Sequence, residues 1–346
     1  MKRTRNGNAN WTTNKIKMKF LIAGFGSIGR RHFRNLIALG ERDLLFLRSH
    51  KSHHPDEEIS GYPIYEDIGS ALTQNPDAVI VANPSALHLD VAIPAAKKGC
   101  HILMEKPLSD GLEHVPELVE AVENNKSQLL MGFQFRFHPG LRRIAELISE
   151  GTIGRILSVR AHWGEYLPDW HPWEDYRKSY SAQTRLGGGV ILTLCHPLDY
   201  MRWLVGEVED LWAFSGKLGD LDLAVEDTAE IGVRFDNGAF GSIHLSYNQK
   251  PTMHTLEMVG TGGSLQWSNA TGITSWYPSE TGEWRSMELP DGFERNQLFR
   301  SEMEHFINVI KGDEQPVCTL NDGIAALKLA LAAKQSAQFG QLVEIC

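Results

Sequence analysis

The run FLIAGFGSIGRRH, Phe20 to His32, narrows what this chain can fold into more than any other stretch. Three glycines, Gly24, Gly26 and Gly29, follow directly on a short apolar run, KFLIAG, that suits a buried parallel strand. SIGRRHFRNLIALG follows with helical spacing of Ile28, Phe33, Ile37 and Leu39 and ends at Gly40 as a C-cap. Glycines can merely turn a chain. Between a strand and a helix each has a further use: Gly24 permits the tight turn, Gly26 lets backbone approach a pyrophosphate, and Gly29 lets the helix pack close to the strand. The helix N-terminus then offers free N–H groups and partial positive charge to phosphates.

The same alternation continues downstream. DLLFLRS, DAVIVANP, CHILMEKP and SQLLMGFQFRF read as strands, and SALHLDVAIPAAKKG and VPELVEAVENN as helices between them. Strands alternating with helices predict right-handed crossovers and a doubly wound parallel sheet. Beyond about Pro139 the texture changes to strand-like stretches such as RILSVRAHWGEY, TAEIGVRFDNGAFGSIHLSYNQ and HTLEMVGTGGSLQW, interrupted by one helix over GGGVILTLCHPLDYMRWLVG. FDNGAF predicts a hairpin, with Asn-Gly supplying the positive φ angles of a tight turn. The fold expected is α/β: a Rossmann doubly wound parallel sheet, then a C-terminal α+β domain with a large, mostly antiparallel open sheet. The expected divisions are a disordered lead-in over 1–17, an NAD(P)-binding domain over 18–137 and a substrate-binding and oligomerisation domain over 138–346.

Composition bounds the partners. A net charge of −9 repels nucleic acid and anionic membrane surfaces. Nothing resembles a spanning helix of about 20 apolar residues. The first 16 residues contain no apolar stretch of the kind a secretory signal needs. Four scattered cysteines, Cys100, Cys195, Cys318 and Cys346, form neither a CxxC pair nor a disulfide framework, so a reducing cytoplasm is expected. No His, Asp or Glu grouping in the motifs has metal-ligand spacing, and no metal is expected.

The second strand bears on the dinucleotide. An NAD site usually carries Asp or Glu near that strand's end, on the ribose hydroxyls. Here the end reads FLRSHKSHH, with no acid before Asp56. Arg48, Ser49 and Lys51 suit a 2′-phosphate instead, which favours NADP over NAD. MEKPLS, Met104 to Ser109, places Lys106 at a strand end on the ligand side of such a sheet, where the oxidised ring and partial burial are expected to lower its pKa. Pro107 stiffens that turn and is a candidate for a cis bond. His196 and Asp199 stand three apart on one helical face behind Gly187-Gly188-Gly189. YLPDWHPWEDYRKSY packs Trp170, His171, Trp173, Asp175, Tyr176, Arg177 and Tyr180 into one irregular stretch whose aromatic faces and charged groups suit a polyhydroxylated ligand.

Taken together, GFGSIGRRH, NPSALH, EKPLS and GGGVILTLCHPLD, in this order and spacing, resemble the Gfo/Idh/MocA family of glucose–fructose oxidoreductase and inositol dehydrogenase. The resemblance runs from about residue 18 to the end. It implies reversible hydride transfer between NAD(P) and a carbinol carbon of a sugar, polyol or sugar derivative. It implies a homodimer or homotetramer formed through the C-terminal sheet. By resemblance Lys106 and His196 are catalytic, and Gly24, Gly26, Ser27, Ile28, Asn83, Ser85, His88, Glu105 and Gln134 line the dinucleotide site; Arg48 and Ser49 join them from the reading of the second strand. Trp173, Asp175, Tyr176, Tyr180 and Thr193 are the expected substrate residues. The sequence departs from the family pattern in one respect. Many relatives carry Asp three or four residues before the histidine, and here those positions hold Thr193 and Leu192. Asp175, Tyr176, Tyr180 or Asp199 are candidates to replace it. Two other outcomes for this family are glycoside cleavage with the cofactor recycled and a non-catalytic dinucleotide or sugar sensor.

Overall fold

The computed structural model describes residues 17–49 and 57–345. Nearly all of the expected lead-in, together with Lys51, Asp56 and Cys346, lies outside the described residues. Six parallel strands, β1 (Lys19–Ala23), β2 (Asp43–Leu47), β3 (Ile64–Tyr65), β4 (Ala78–Val81), β5 (His101–Glu105) and β6 (Leu129–Gly132), form one sheet in the order β3-β2-β1-β4-β5-β6. The crossover helices are α1 (Ser27–Leu39), α2 (Ile68–Leu72), α3 (His88–Lys97) and α4 (Val115–Asn125). β1 and β4 are buried almost throughout, as expected for strands covered on both faces. The order reverses between β1 and β4, which opens a crevice at their carboxyl ends.

The rest of the chain adds α5 (Pro139–Ser149), β7 (Ile156–Tyr166), α6 (Val190–Thr193), α7 (His196–Val205), β8 (Val208–Gly216), β9 (Thr228–Phe235), β10 (Phe240–Ser246), β11 (Asn248–Gly260), β12 (Gly263–Ser268), β13 (Thr274–Pro278), β14 (Arg285–Met287), α8 (Asn296–Lys311), α9 (Leu320–Phe339) and β15 (Val343–Glu344). The second sheet has the order β14-β13-β12-β11-β7-β10-β9-β8-β15. It is antiparallel except where β10 lies parallel to β7. One face packs its alternating apolar residues against helices. The other exposes Trp212, Phe214, Phe240, Met253 and Val259.

Three local expectations change. The single helix expected over 187–206 is two, starting only at Val190 and broken at Leu194 and Cys195, so that His196 begins α7 with Pro197 behind it in the first turn. In the 236–239 turn only Gly238 takes a positive φ, +84°. Asn237 instead closes the loop with its side chain, accepting from Ala239 N (3.0 Å) and donating to Val205 O (2.7 Å). On α1, His32 and Asn35 are buried beside Phe33 and Leu36, while Ile28, Ile37 and Leu39 are only partly covered. The cause is α8, which returns from the far end of the chain onto α1. There Asn296 donates to the Asn35 side chain (2.9 Å), and Phe299 lies beneath the Arg31 guanidinium (4.3 Å).

Candidate active site

The glycine loop follows β1 into α1. Gly24 has φ +95°, and a Cβ there would lie 2.6 Å from Ala82 O. A Cβ on Gly29 would lie 2.1 Å from Gly24 O, so this glycine seats the helix against the turn. Gly26 differs: a Cβ there would meet nothing within 4 Å. Its need for glycine is therefore not internal packing, which fits a surface kept bare for a phosphate group. α1 begins at Ser27 with no side-chain cap and no acidic residue in its first turn, leaving its amide donors to an anion.

Around this loop, Arg48 is buried directly after β2, with its guanidinium 5.6 Å from the Phe25 ring centre, and Ser49 is exposed beside it. Arg30 covers the same ring at 4.4 Å and pairs with Glu58 at 3.0 Å. After β4, Asn83 donates to Leu87 O (2.8 Å), and Ser85 is buried at the start of a short 3-10 turn. His88 is buried with one ring nitrogen 2.9 Å from Asn83 O and the other 2.9 Å from Pro107 O, so it joins the β4 and β5 loops. Burial holds its imidazole below the ordinary range. Gln134 is buried just beyond β6.

Lys106 sits at the carboxyl end of β5, ahead of a cis bond to Pro107. Its Nζ donates to the backbone carbonyl of Thr193 at 2.8 Å. The acceptor that meets Lys106 is thus a main-chain oxygen and not a carboxylate. The fall in the Lys106 pKa expected from burial is opposed by its neighbours within the chain. Burial pulls it down, but Tyr180, Cys195 and Glu105 outweigh burial and hold it above its ordinary value. Lys106 is therefore a cationic donor at neutral pH.

His196 is buried in an aromatic box, with Phe135 at 5.0 Å, Trp163 at 5.2 Å and Phe133 at 5.5 Å between ring centres. Behind Trp163, His254 stacks parallel at 4.4 Å; the two are register partners on β7 and β11. The His196 Nδ1 is buried with no protein partner. Burial first, then Lys106, His254 and Arg295, push its pKa well below the usual imidazole value. The site thus pairs a neutral imidazole with an ammonium.

The candidate partners of His196 separate. Asp199 faces away to Arg136, which binds it through two nitrogens at 2.6 and 3.0 Å, and Asp322 adds a third contact to that guanidinium at 3.1 Å. Asp175 accepts from Arg177 (2.8 and 2.9 Å) and caps its own 3-10 turn. The Tyr176 hydroxyl accepts from Asp222 N at 3.1 Å. These three hold scaffold. Trp173 is 74% exposed, next to His171. Tyr180 is the one brought up to Lys106, together with Thr193 and the buried Tyr247, whose hydroxyl reaches towards Ser181 O (3.5 Å). Motif reading missed Trp163, His254, Tyr247 and Arg295. Trp163 and His254 occupy inward positions of alternating strands, a pattern visible in the sequence; Tyr247 lies in the bend between β10 and β11, and Arg295 carried no signal.

A family model described as "Oxidoreductase family, NAD-binding Rossmann fold" matches residues 18–133, and one described as "GFO/IDH/MocA C-terminal domain" matches 141–266. The chain is 30% identical to a 1,5-anhydro-D-fructose reductase of Ensifer adhaerens over 84% of this chain and 88% of that protein. It is 29% identical to a myo-inositol 2-dehydrogenase of Thermotoga maritima, over 95% and 98%. Among solved structures, a levoglucosan dehydrogenase bound to NADH and levoglucosan superposes with a TM-score of 0.84 at 22% identity, covering 95% of this chain and 99% of the other. The WlbA dehydrogenase of Bordetella pertussis, bound to NADH and UDP-GlcNAcA, gives 0.80 at 23%, covering 95% and 98%.

Proposed function

Because this chain belongs to the GFO/IDH/MocA oxidoreductase family, we propose that Lys106 and His196 are its catalytic pair, set at the mouth of a dinucleotide crevice. The protein is an NAD(P)-dependent oxidoreductase acting on CH–OH groups of a sugar, polyol or sugar derivative. The observation that carries the site assignment is the bond from Lys106 to Thr193 O, which sets an ammonium beside the neutral imidazole of His196 at the end of β5. When bound, the nicotinamide supplies or accepts the hydride. The chain's own residues do the rest. Lys106 donates to the substrate oxygen and stabilises negative charge there. His196 takes the hydroxyl proton in oxidation and returns it in reduction. Tyr180 and Thr193 border the place of the reacting carbon, and Trp173, Asp175 and Tyr176 belong to the segment that walls it.

The bare Gly26 and uncapped α1 suit the pyrophosphate, with Gly24, Ser27, Ile28, Asn83, Ser85, His88, Glu105 and Gln134 as the surrounding residues. Residues 18–137 form the dinucleotide domain in this reading, and 138–346 the substrate domain. NADP is the preferred form. The support is Arg48 with Ser49 at the end of β2, where no acidic side chain stands among residues 44–49. Two further parts of the reading rest on surface and thiol chemistry. The exposed apolar face of the second sheet is the contact through which the chain forms a homodimer or homotetramer. The buried free thiols of Cys100, Cys195 and Cys318 suit a cytoplasmic setting.

The test is a fluorescence titration with NADPH and NADH, followed by a screen of sugars and polyols with the preferred oxidised cofactor. NADPH binding at least about tenfold tighter, a difference of about 1.4 kcal/mol, supports the Arg48 reading. Equal or tighter NADH binding removes it, and turnover of no carbinol substrate removes the catalytic assignment.

A further inference from the structure

Glu302 lies in the second turn of α8, fully buried, and neither of its carboxyl oxygens has a hydrogen-bond partner. It points to the foot of the catalytic strand. His32 of α1 bonds through Nε2 to Glu105 Oε1 at 2.7 Å, and Glu105 Oε2 accepts from the backbone N of Lys106 at 3.3 Å. One side-chain oxygen or nitrogen from each of His32, Glu105 and Glu302 falls within 4.8 Å of the others. Two carboxylates this close in a dry interior cannot both ionise. Glu105 has His32 and a main-chain N–H to support its charge, whereas Glu302 has neither. The proton of the pair therefore belongs on Glu302. A protonated carboxyl has one O–H to give, and Glu105 is the acceptor within a span that a side-chain torsion or one bridging water closes.

A divalent cation is the other occupant such a cluster suggests. His32 Nε2 is engaged with Glu105 Oε1 while the buried Nδ1 has no partner, and a bound metal is the outcome of the test below that would overturn the proton.

We propose that Glu302 is a positioning residue, a neutral carboxylic acid that, with His32, clamps the Glu105 carboxylate against the backbone of Lys106 and so fixes the charge beside the reacting oxygen. The inference rests on Lys106 being the catalytic lysine. The groups that surround the pair are Arg31 and His32 on α1, Glu105 at the end of β5 and Lys106 directly after it, His88 on α3 and Cys318 ahead of α9. Burial and the neighbouring Glu105 both push the Glu302 carboxyl up, in agreement with the geometry.

Infrared difference spectra of the full chain at neutral pH, wild type against E302Q, read the proton directly. A carbonyl absorption of a buried neutral carboxylic acid, present in the wild type and lost in E302Q, is the expected result. In kinetics, E302L is expected to lower kcat about tenfold with KM little moved, and E302Q, which keeps a donor at the same place, to return within about threefold of the wild type. The proposal is overturned by absence of the carbonyl band, by E302Q as impaired as E302L, or by a stoichiometric divalent metal that survives chelation in the wild type and is lost in E302Q. Should E302L fail to fold, the band and E302Q decide. A K106M variant separates the two readings: if K106M turns over normally, the role of Lys106 fails while the band still reports on Glu302.

Discussion

The Lys106 ammonium donates to the main-chain oxygen of Thr193, three residues before His196, and this one bond ties the carboxyl end of β5 to the break between α6 and α7. A main-chain acceptor carries no net charge and cannot take the proton. In the proposed mechanism Lys106 therefore stays charged while its position is fixed, and proton exchange is assigned to His196. K106M and H196N are each expected to lower kcat about 10²- to 10⁴-fold while dinucleotide binding changes little. Steady-state kinetics beside the fluorescence titration checks both halves.

The neutral imidazole fixes the pH dependence of oxidation. The His196 pKa is held well below the usual 6.5 by burial and by Lys106, so the base form persists into mild acid. kcat/KM for oxidation is expected to stay flat down to about pH 6 and to fall only below it. A midpoint at or above pH 7 for the acid limb would assign the base elsewhere.

Glycine substitutions in the loop should divide. G24A places a side chain at positive φ against the Ala82–Asn83 backbone, and loss of at least about 1–2 kcal/mol of stability is expected. G26A meets no protein atom and should keep its thermal midpoint within a few degrees, yet weaken dinucleotide binding about tenfold or more. Calorimetry with and without NADPH separates the two.

Asp199 serves folding. Its carboxylate is buried against Arg136, and burial pushes its pKa up while Arg136 draws it back. D199N removes one charged partner from a buried guanidinium that still holds Asp322, and should cost about 1.5–3 kcal/mol. Denaturant titration measures this. The acid limb of the D199N rate profile should stay where it is in the wild type, since Asp199 does not bond His196.

Stability should change with pH in opposite senses at two sites. For His196 and His254 the folded pKa is depressed, so the unfolded chain binds more protons below about pH 6.5 and stability falls as the solution is acidified. For Glu302 the folded pKa is raised, so the native state binds more protons above about pH 4.5 and stability falls as pH rises towards the folded value. E302Q should therefore gain on the wild type as pH increases from about 5 to 8. A gain that shrinks over that range would contradict a proton on Glu302.

How much of this was legible depended on whether the signal was local. Gly24, Gly26 and Gly29, the EKP stretch and His196 announce themselves because neighbouring residues in the chain do one job. The Thr193 oxygen could not be read, since any residue supplies a carbonyl. Asp199 looked like a partner for His196 because i and i+3 share a helical face; Arg136, sixty-three residues away, claimed it. Glu302 could have been found. Phe299, Met303 and Phe306 mark the buried stripe of α8 at helical spacing, and Glu302 falls on that stripe whereas Glu304 does not. An acid on an apolar stripe is a buried charge to be explained, and composition alone hides it.

The return of α8 onto α1 decides what can be taken apart. Asn35, His32 and Arg31 have their cover from Asn296 and Phe299, more than 260 residues further along the chain. A fragment that stops short of Asn296 would keep every strand of the parallel sheet and the whole glycine loop, yet its phosphate-facing helix would lie bare on one side, with Glu105 stripped of its lid. A fragment lacking α8 and α9 should therefore lose thermal stability and dinucleotide affinity relative to the full chain, so that capacity to hold the dinucleotide is expected to arise late in synthesis.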